Sequence, residues 1–348
     1  MKICTTCVLP ETFPGITFDD QGRCSYCSKH DKTEKRDNQR DRFYAKFQEI
    51  LQRLKGKDPY DALLAYSGGK DSTYTLKLLK ETYGLKLLAI TVDHGFVSPK
   101  AVKNIQNVTG RLDIDHCAFR PGTDTLRTLF SRSMVMDVYP IKALERASAI
   151  CNSCMNLVKS LLIKISIEMR VPMIFYGWSP GQAPLRSSVF KTNAAMLRKM
   201  QEAVSVSFEK LIGDRLSAYL LKDHHFKTDP SRESDRFPYI IHPLAFLDYS
   251  EETILDAVGT LGWIPPEDTG SNSSNCLLND FAIEMHIKQH RFHPYAFEIA
   301  GLVREGCMTR SEGLERLSSR PDAAHLDYIK KKLEAGAESR SFCKGAGK

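Results

Sequence analysis

Six consecutive residues, Ser67-Gly68-Gly69-Lys70-Asp71-Ser72, bring two hydroxyls, two hinge positions, a cation and a carboxylate into one short segment. Adjacent glycines let the backbone turn sharply, so that successive N–H groups can converge on one concavity. A helix beginning there would add the positive end of its dipole, and the combination binds phosphate. The hydroxyls of Ser67 and Ser72 and the Lys70 ammonium would assist, and Asp71 is a candidate for Mg²⁺, which favours carboxylate together with phosphate oxygens. A helix N-terminal carboxylate that only complements the dipole is the plainer account of Asp71. The spacing is not the Walker pattern G-x-x-x-x-G-K-[ST]. A bare Ser-Gly-Gly turn after a strand is common; the added Lys-Asp-Ser and the helical pattern behind it point to a nucleotide.

The ten cysteines offer a second chemistry, and they sort into sets. Cys4-x2-Cys7 and Cys24-x2-Cys27, with 16 residues between, fit the pattern of a tetrahedral structural zinc site. So short a segment has little core of its own, so ligation would have to hold it together; four unliganded thiols are the alternative. Cys151-x2-Cys154 lies inside a helical pattern near Arg146 and Lys159, and Cys276 closes a polar loop, DTGSNSSNC. Three thiolates from two distant segments suit a [4Fe–4S] cluster with one iron left without a protein ligand. A second zinc site, a redox dithiol and buried inert thiols remain open. Cys117, Cys307 and Cys343 stand alone and receive no role.

Elements must hold these groups in place. Ala62 to Tyr66 reads as a buried strand and Thr73 to Lys80 as an amphipathic helix on either side of the glycine turn. Strands are predicted at Leu85 to Asp93, His116 to Arg120 and Val171 to Trp178. Helices are predicted at Lys100 to Leu112, Thr123 to Met136 and Ile141 to Arg170. Such alternation implies an α/β fold, a parallel sheet with helices on both faces, whose ligands sit beyond the carboxyl ends of the strands. That puts the Ser67 loop, Asp93-His94-Gly95 and Gly177-Trp178-Ser179 on one rim. Residues 1–30 are expected as a zinc knuckle, 31–58 as a linking helix carrying Phe43, Phe47, Ile50, Leu51 and Leu54 on one face, 59–235 as the nucleotide domain and 236–348 as a helical C-terminal region. A helix from Thr192 to Leu221 and a polar linker, HHFKTDPSRESDR, are expected ahead of that region. Within it, helices are expected at Glu251 to Leu261, Ala282 to Gln289 and Thr309 to Leu317, the last with a Thr309/Glu312 capping box.

With 348 residues, 42% apolar and 26% charged, the composition is that of an ordinary globular protein. No apolar run approaches the roughly 18 residues that would cross a bilayer, so no membrane partner is expected. MKICTTC carries no signal-peptide core, which makes the cytoplasm the expected address and favours metal-bound or reactive thiols over disulfides. The net charge of +7 is uneven, with ten Lys/Arg against five Asp/Glu between Lys29 and Lys57, and a second basic stretch at Lys330-Lys331-Lys332. That is either a set of solvated helix faces or a footprint for a polyanion such as RNA.

The Ser67–Ser72 segment resembles the SGGKDS pyrophosphate loop of the PP-loop ATP pyrophosphatase superfamily, whose Rossmann-like members split ATP between its α- and β-phosphates. The order of N-terminal knuckles, SGGKDS, a mid-domain CxxC and one distant Cys is similar to that of the iron–sulfur-dependent tRNA thiolation enzymes of that superfamily. GWSPGQAP stands where many of those enzymes carry an RGN-type segment, which keeps a free nucleotide or another small molecule open as acceptor beside tRNA. The opening CTTCVLPETFPGITFDDQGRCSYC and the later GLVREGCMTRSEGLERL resemble instead the N-acetyl sugar amidotransferases, PP-loop enzymes that form acetamidino groups on bacterial sugars.

The first resemblance implies ATP with Mg²⁺ at Ser67, Gly68, Gly69, Lys70, Asp71 and Ser72, with Asp93 and Gly177 beside the nucleotide. Lys70 and Asp71 would be catalytic. Zn²⁺ would sit on Cys4, Cys7, Cys24 and Cys27, and a [4Fe–4S] cluster on Cys151, Cys154 and Cys276. The activity implied is adenylation of a carbonyl oxygen with pyrophosphate release, followed by sulfur transfer from a [4Fe–4S]-bound sulfide, supplied by a donor protein or free sulfide, to give a thiolated nucleobase or small molecule. The second resemblance implies ammonia from a partner glutaminase. A homodimer is compatible with either.

Overall fold

The structure, a computed structural model, describes residues 2–30, 36–182, 184–226 and 237–334. Most of the expected polar linker and Cys343 lie outside the described residues. Helices α1 (Ser25–His30) and α2 (Arg36–Leu54) lead into strand β1 (Ala62–Ala65), α3 (Lys70–Lys77), β2 (Leu87–Val92), α4 (Pro99–Leu112) and β3 (Asp115–Phe119). Next come α5 (Thr123–Val135), α6 (Ile141–Leu144), α7 (Ala149–Met169), β4 (Met173–Tyr176), β5 (Val189–Lys191), α8 (Ala194–Ile212), α9 (Asp223–Phe226) and β6 (Tyr239–Ile241). The remainder is α10 (Glu251–Gly259), α11 (Asn279–His290), α12 (Ala296–Arg304), α13 (Arg310–Ser318) and α14 (Ala323–Glu334).

The six strands order as β3-β2-β1-β4-β6-β5, parallel except for β5, which runs antiparallel to β6 at the edge. Side chains alternate across the sheet. Leu64, Ala89 and Phe175 meet α2, α3, α4 and α10 on one face, while Leu63, Leu88, Ile90 and Ile174 meet α7 and α8 on the other. The apolar face of α2 was read correctly: Phe47, Ile50 and Leu51 are buried in the first of these layers. A third cluster joins α5, α7, α8, α11 and α14, and a fourth packs the N-terminal knuckle on α12 and α13.

Four differences from the sequence reading have local causes. The expected helix Ile141 to Arg170 is two helices, because Ser148 adopts an extended N-cap conformation and its hydroxyl accepts the Cys151 N–H at 3.1 Å. α3 begins at Lys70 rather than Thr73, with Gly69 as its extended N-cap, so Lys70, Asp71 and Ser72 form its first turn. The expected helix Thr192 to Leu221 starts at Ala194, capped by Asn193, and gives way at Gly213 to a 3₁₀ stretch. β5 and β6 went unread, and β6 comes from the region expected to be helical; three residues each are too few for an alternation to show. One helix among the described residues, α7, is long and apolar enough to cross a bilayer by length and composition. Here it packs against β1, β4 and α5.

Candidate nucleotide and metal sites

β1, β2 and β3 progress to one side of the sheet, and β4 and β6 lie on the other. The direction of winding therefore reverses between β1 and β4, where open α/β sheets form a crevice for ligands. The two loops leaving these strands carry Ser67–Ser72 and Gly177-Trp178. They touch: a Cβ on Gly177 would lie 2.5 Å from Ser72 Cα. Gly68 has φ +78° and packs on α4, where a Cβ would lie 2.7 Å from Ile105 Cγ1 and 2.9 Å from the Ala101 carbonyl oxygen. Gly68→Ala is therefore expected to cost about 2–4 kcal/mol, from left-handed strain plus overpacking. Urea unfolding checks this; an unchanged midpoint would mean that the turn is not held as described.

The loop is fastened from outside. Trp263 Nε1 donates to the Gly68 carbonyl at 2.8 Å, and the Lys70 N–H donates to Ser274 Oγ at 3.2 Å. Ser67 Oγ and Ser72 Oγ stand 3.2 Å apart, and Gly69 N–H points at Ser67 Oγ, 3.4 Å. Lys70 Nζ lies 3.0 Å from Asp71 Oδ1, 3.3 Å from Tyr249 OH and 3.5 Å from Glu251 Oε1. Tyr249 donates to Asp71 at 3.1 Å, and burial together with the Asp71 and Glu251 charges keeps it a phenol. Burial pushes Glu251 upward, but Lys70 and Arg316 together hold it below the usual carboxylate range. Asp71, in the first turn of α3, is thus paired with a cation that would have to turn toward any phosphate.

Glu298 on α12 stands behind this group. Ser179 Oγ donates to it at 2.8 Å, and burial pushes its carboxyl up to about 7, with the Asp71 charge adding to the effect. Between pH 4.5 and 7 the folded chain then holds a proton that the unfolded chain has released. The stability from this group is present below pH 4.5 and lost as pH rises through 7. Glu298→Gln is expected to flatten that fall, measured as urea midpoints at pH 5 and 7.5; an undiminished slope would assign it to another group.

Ser67, Ser72, Gly177 and Trp178 share a cleft with Tyr66, Thr91, His94, Lys159 and Cys154. Asp93 is not among its lining. It accepts from the Gly95 N–H at 2.9 Å and from Arg120 Nε at 2.8 Å, and these hold it below the ordinary range against the upward push of burial. His94 lines the cleft and is kept neutral by burial, down to about 4.

Cys151 and Cys154 lie one turn apart on α7. Cys276 is brought to them because Val97 bridges to it and the Leu277 N–H donates to the Phe96 carbonyl, tying its loop to the exit of β2. Burial raises all three thiols. Cys154 also feels Cys276 and Cys151, and Cys276, pushed up to about 12, feels Cys151. Burial in this apolar wall holds the three sulfurs as thiols, and a bound metal is what would make them thiolates.

At the knuckle, Cys4, Cys7, Cys24 and Cys27 are buried, with all four sulfurs within 4.8 Å of one another. They form the one such group of His, Cys, Asp and Glu ligand atoms among the described residues. The Cys4–Cys27, Cys7–Cys24 and Cys24–Cys27 sulfurs lie 3.9, 3.7 and 3.6 Å apart. A tetrahedron with Zn–S of about 2.3 Å has edges of about 3.8 Å, so the cage has the right size. Cys4 Sγ also accepts the N–H groups of Thr6, Cys7 and Cys24 at 3.3–3.4 Å, which suits a thiolate. Bonds from Cys27 and Cys7 lower the Cys24 thiol. Arg310 donates to the Cys4 and Cys7 carbonyls, at 2.9 Å and 3.0 Å, and Phe13 meets the Phe292 ring at 5.2 Å. The opening segment and GLVREGCMTRSEGLERL are therefore one packed unit.

Sequence reading missed Trp263, Ser274, Tyr249, Glu251 and Glu298. DTGSNSSNC was a signal for Ser274, since a polar run beside a candidate ligand must face something polar. Of the basic stretch, Arg40, Lys46 and Lys55 bond to Phe246, Val189 and Tyr83 carbonyls within the chain.

No family model matches the chain. It is 25% identical over 272 residues, 78% of its length, to 77% of the uncharacterized protein MJ1599 of Methanocaldococcus jannaschii. Among solved structures it is similar to the U34-tRNA thiolase NcsA from Methanococcus maripaludis with its [4Fe-4S] cluster, at 17% identity over 95% of this chain and 98% of that one, TM-score 0.36. It is also similar to NH3-dependent NAD synthetase from Campylobacter jejuni, at 12% identity over 83% of this chain and 91% of that one, TM-score 0.35. NMN synthetase from Francisella tularensis matches at 12% identity over 82% of this chain and 93% of that one, TM-score 0.36. Scores of this size assign neither activity nor substrate.

Proposed function

We propose that this chain is an ATP-dependent enzyme of the PP-loop type that primes a carbonyl oxygen and replaces it with sulfur. The observation that carries this reading is that Cys154 lines one cleft with Ser67 and Ser72, the two ends of the turn, at the point where the sheet's winding reverses. ATP would enter with its β- and γ-phosphates against the N–H groups and hydroxyls of the turn. Lys70 would leave Asp71 to neutralise the pyrophosphate leaving group, freeing Asp71 for Mg²⁺. The acceptor's carbonyl oxygen attacks the α-phosphorus as the bond to the β-phosphate oxygen breaks. Sulfide then attacks the activated carbon, and AMP departs with the oxygen.

Cys151, Cys154 and Cys276 would hold a [4Fe–4S] cluster, which supplies an open iron able to keep sulfide anionic at neutral pH. Zn²⁺ on Cys4, Cys7, Cys24 and Cys27 would be structural. The acceptor would be a nucleobase, in tRNA or free, or another small molecule. Anaerobic purification tests the reading: a brown protein with about four irons and four sulfides is expected, lost in Cys151→Ala. A colourless chain with zinc alone would sink it.

A second reading, amidotransfer to a sugar N-acetyl group with ammonia from a partner glutaminase, is favoured by the packing of the two segments that resemble those enzymes into one unit. It requires no iron, so the same metal analysis separates the two.

A further inference from the structure

A second cavity, of about 310 Å³, opens between α7 and α8, away from the Ser67–Ser72 turn. Asn152 and Asn156 line its α7 side, and Leu197, Met200 and Val204 make an apolar wall on α8. Lys159 lines both this cavity and the nucleotide cleft. Its ammonium lies over the Trp178 ring, 4.8 Å from the centroid, and no carboxylate pairs with it among the described residues. Trp178 also stacks on His242 at 4.6 Å, and burial together with the Lys159 charge keeps that ring neutral, down to about 3. Burial also draws Lys159 down to about 8. A partly buried cation with an aromatic face on one side, an apolar wall nearby and no carboxylate partner is a place where an anion would be stabilised.

We infer that this cavity is a binding site for a small amphipathic molecule bearing one anionic group, with Lys159 on the anion and the Leu197–Val204 wall against the apolar body. About 310 Å³ falls in the size range of small-molecule pockets and cannot accommodate a folded polynucleotide. The binding claim stands on this geometry alone. That the occupant is the acceptor for activation rests on the function proposed above, because Lys159 borders the nucleotide cleft as well.

The probe is 8-anilinonaphthalene-1-sulfonate, one anion on an aromatic body, with the neutral N-phenyl-1-naphthylamine as its control. Saturable single-site binding of the sulfonate is expected, weakened about tenfold or more in Lys159→Met, as for loss of a charged partner. Val204→Trp, which adds bulk to the apolar wall on α8, is expected to weaken both probes. Circular dichroism melts identify any variant that has lost its fold, and the two substitutions lie on different helices. Equal affinity for the neutral probe, an unaltered sulfonate affinity in both folded variants, or no wild-type binding below ~1 mM would overturn the proposal. Binding of a fluorescent ATP analogue is measured separately. If it fails in the wild type while the sulfonate result holds, the activation reading falls and the cavity assignment stands.

Discussion

Lys70→Ala is expected to lower pyrophosphate release from ATP by about 10²–10³-fold, the usual loss when a preorganised group opposite developing charge is removed. The structure places Lys70 in the turn itself, held 3.0 Å from Asp71 and 3.5 Å from Glu251. Removing it also leaves those two carboxylates facing each other with Arg316 as the remaining partner of Glu251, at 2.9 Å. Zinc content is expected to stay the same, since the knuckle packs on α12 and α13 rather than on α3. A pyrophosphate assay beside metal analysis checks both halves. Turnover that survives would mean that the turn is not the phosphate site.

The second large effect is expected at the other end of the chain's chemistry. Cys4→Ser should remove one zinc per chain and lower the thermal midpoint by more than about 10 °C, because ligation energy in small metal sites is folding energy. Cys4 receives three N–H bonds and its carbonyl receives Arg310, so its loss loosens both the knuckle and α13. Chelation of the wild type should reproduce the shift. A protein free of zinc as purified, or a variant that melts with the wild type, would refute the assignment. Substrate affinity lost without a change in melting would make the knuckle a recognition element.

Much of the frame could be read from sequence because it rests on local pattern. The runs at Leu87–Val92 and Met173–Tyr176 are buried end to end, and apolar but for Thr91 and the Tyr176 hydroxyl, because both faces of those strands are covered. The Thr309/Glu312 capping box appears as expected, since its geometry is set within four residues. The grasp of Trp263 on Gly68 escaped notice because it spans 195 positions, and nothing in a lone tryptophan announces which carbonyl it will find. Tyr249, Glu251 and Glu298 escaped for the same reason: they acquire their roles from neighbours that only the folded chain supplies. Asp93 was placed on the right rim, yet Arg120, at the next strand's end, takes its carboxylate.

The bond from the Lys70 N–H to Ser274 Oγ gives the two halves of the site a mechanical linkage. Any oxygen arriving for that N–H must evict a hydroxyl that sits two residues from Cys276, a tether of at most about 7 Å. Nucleotide arrival at the turn would then be coupled to the posture of Cys276. Under the proposed function, a filled nest would be felt as a displacement at Cys276 before any bond is made or broken.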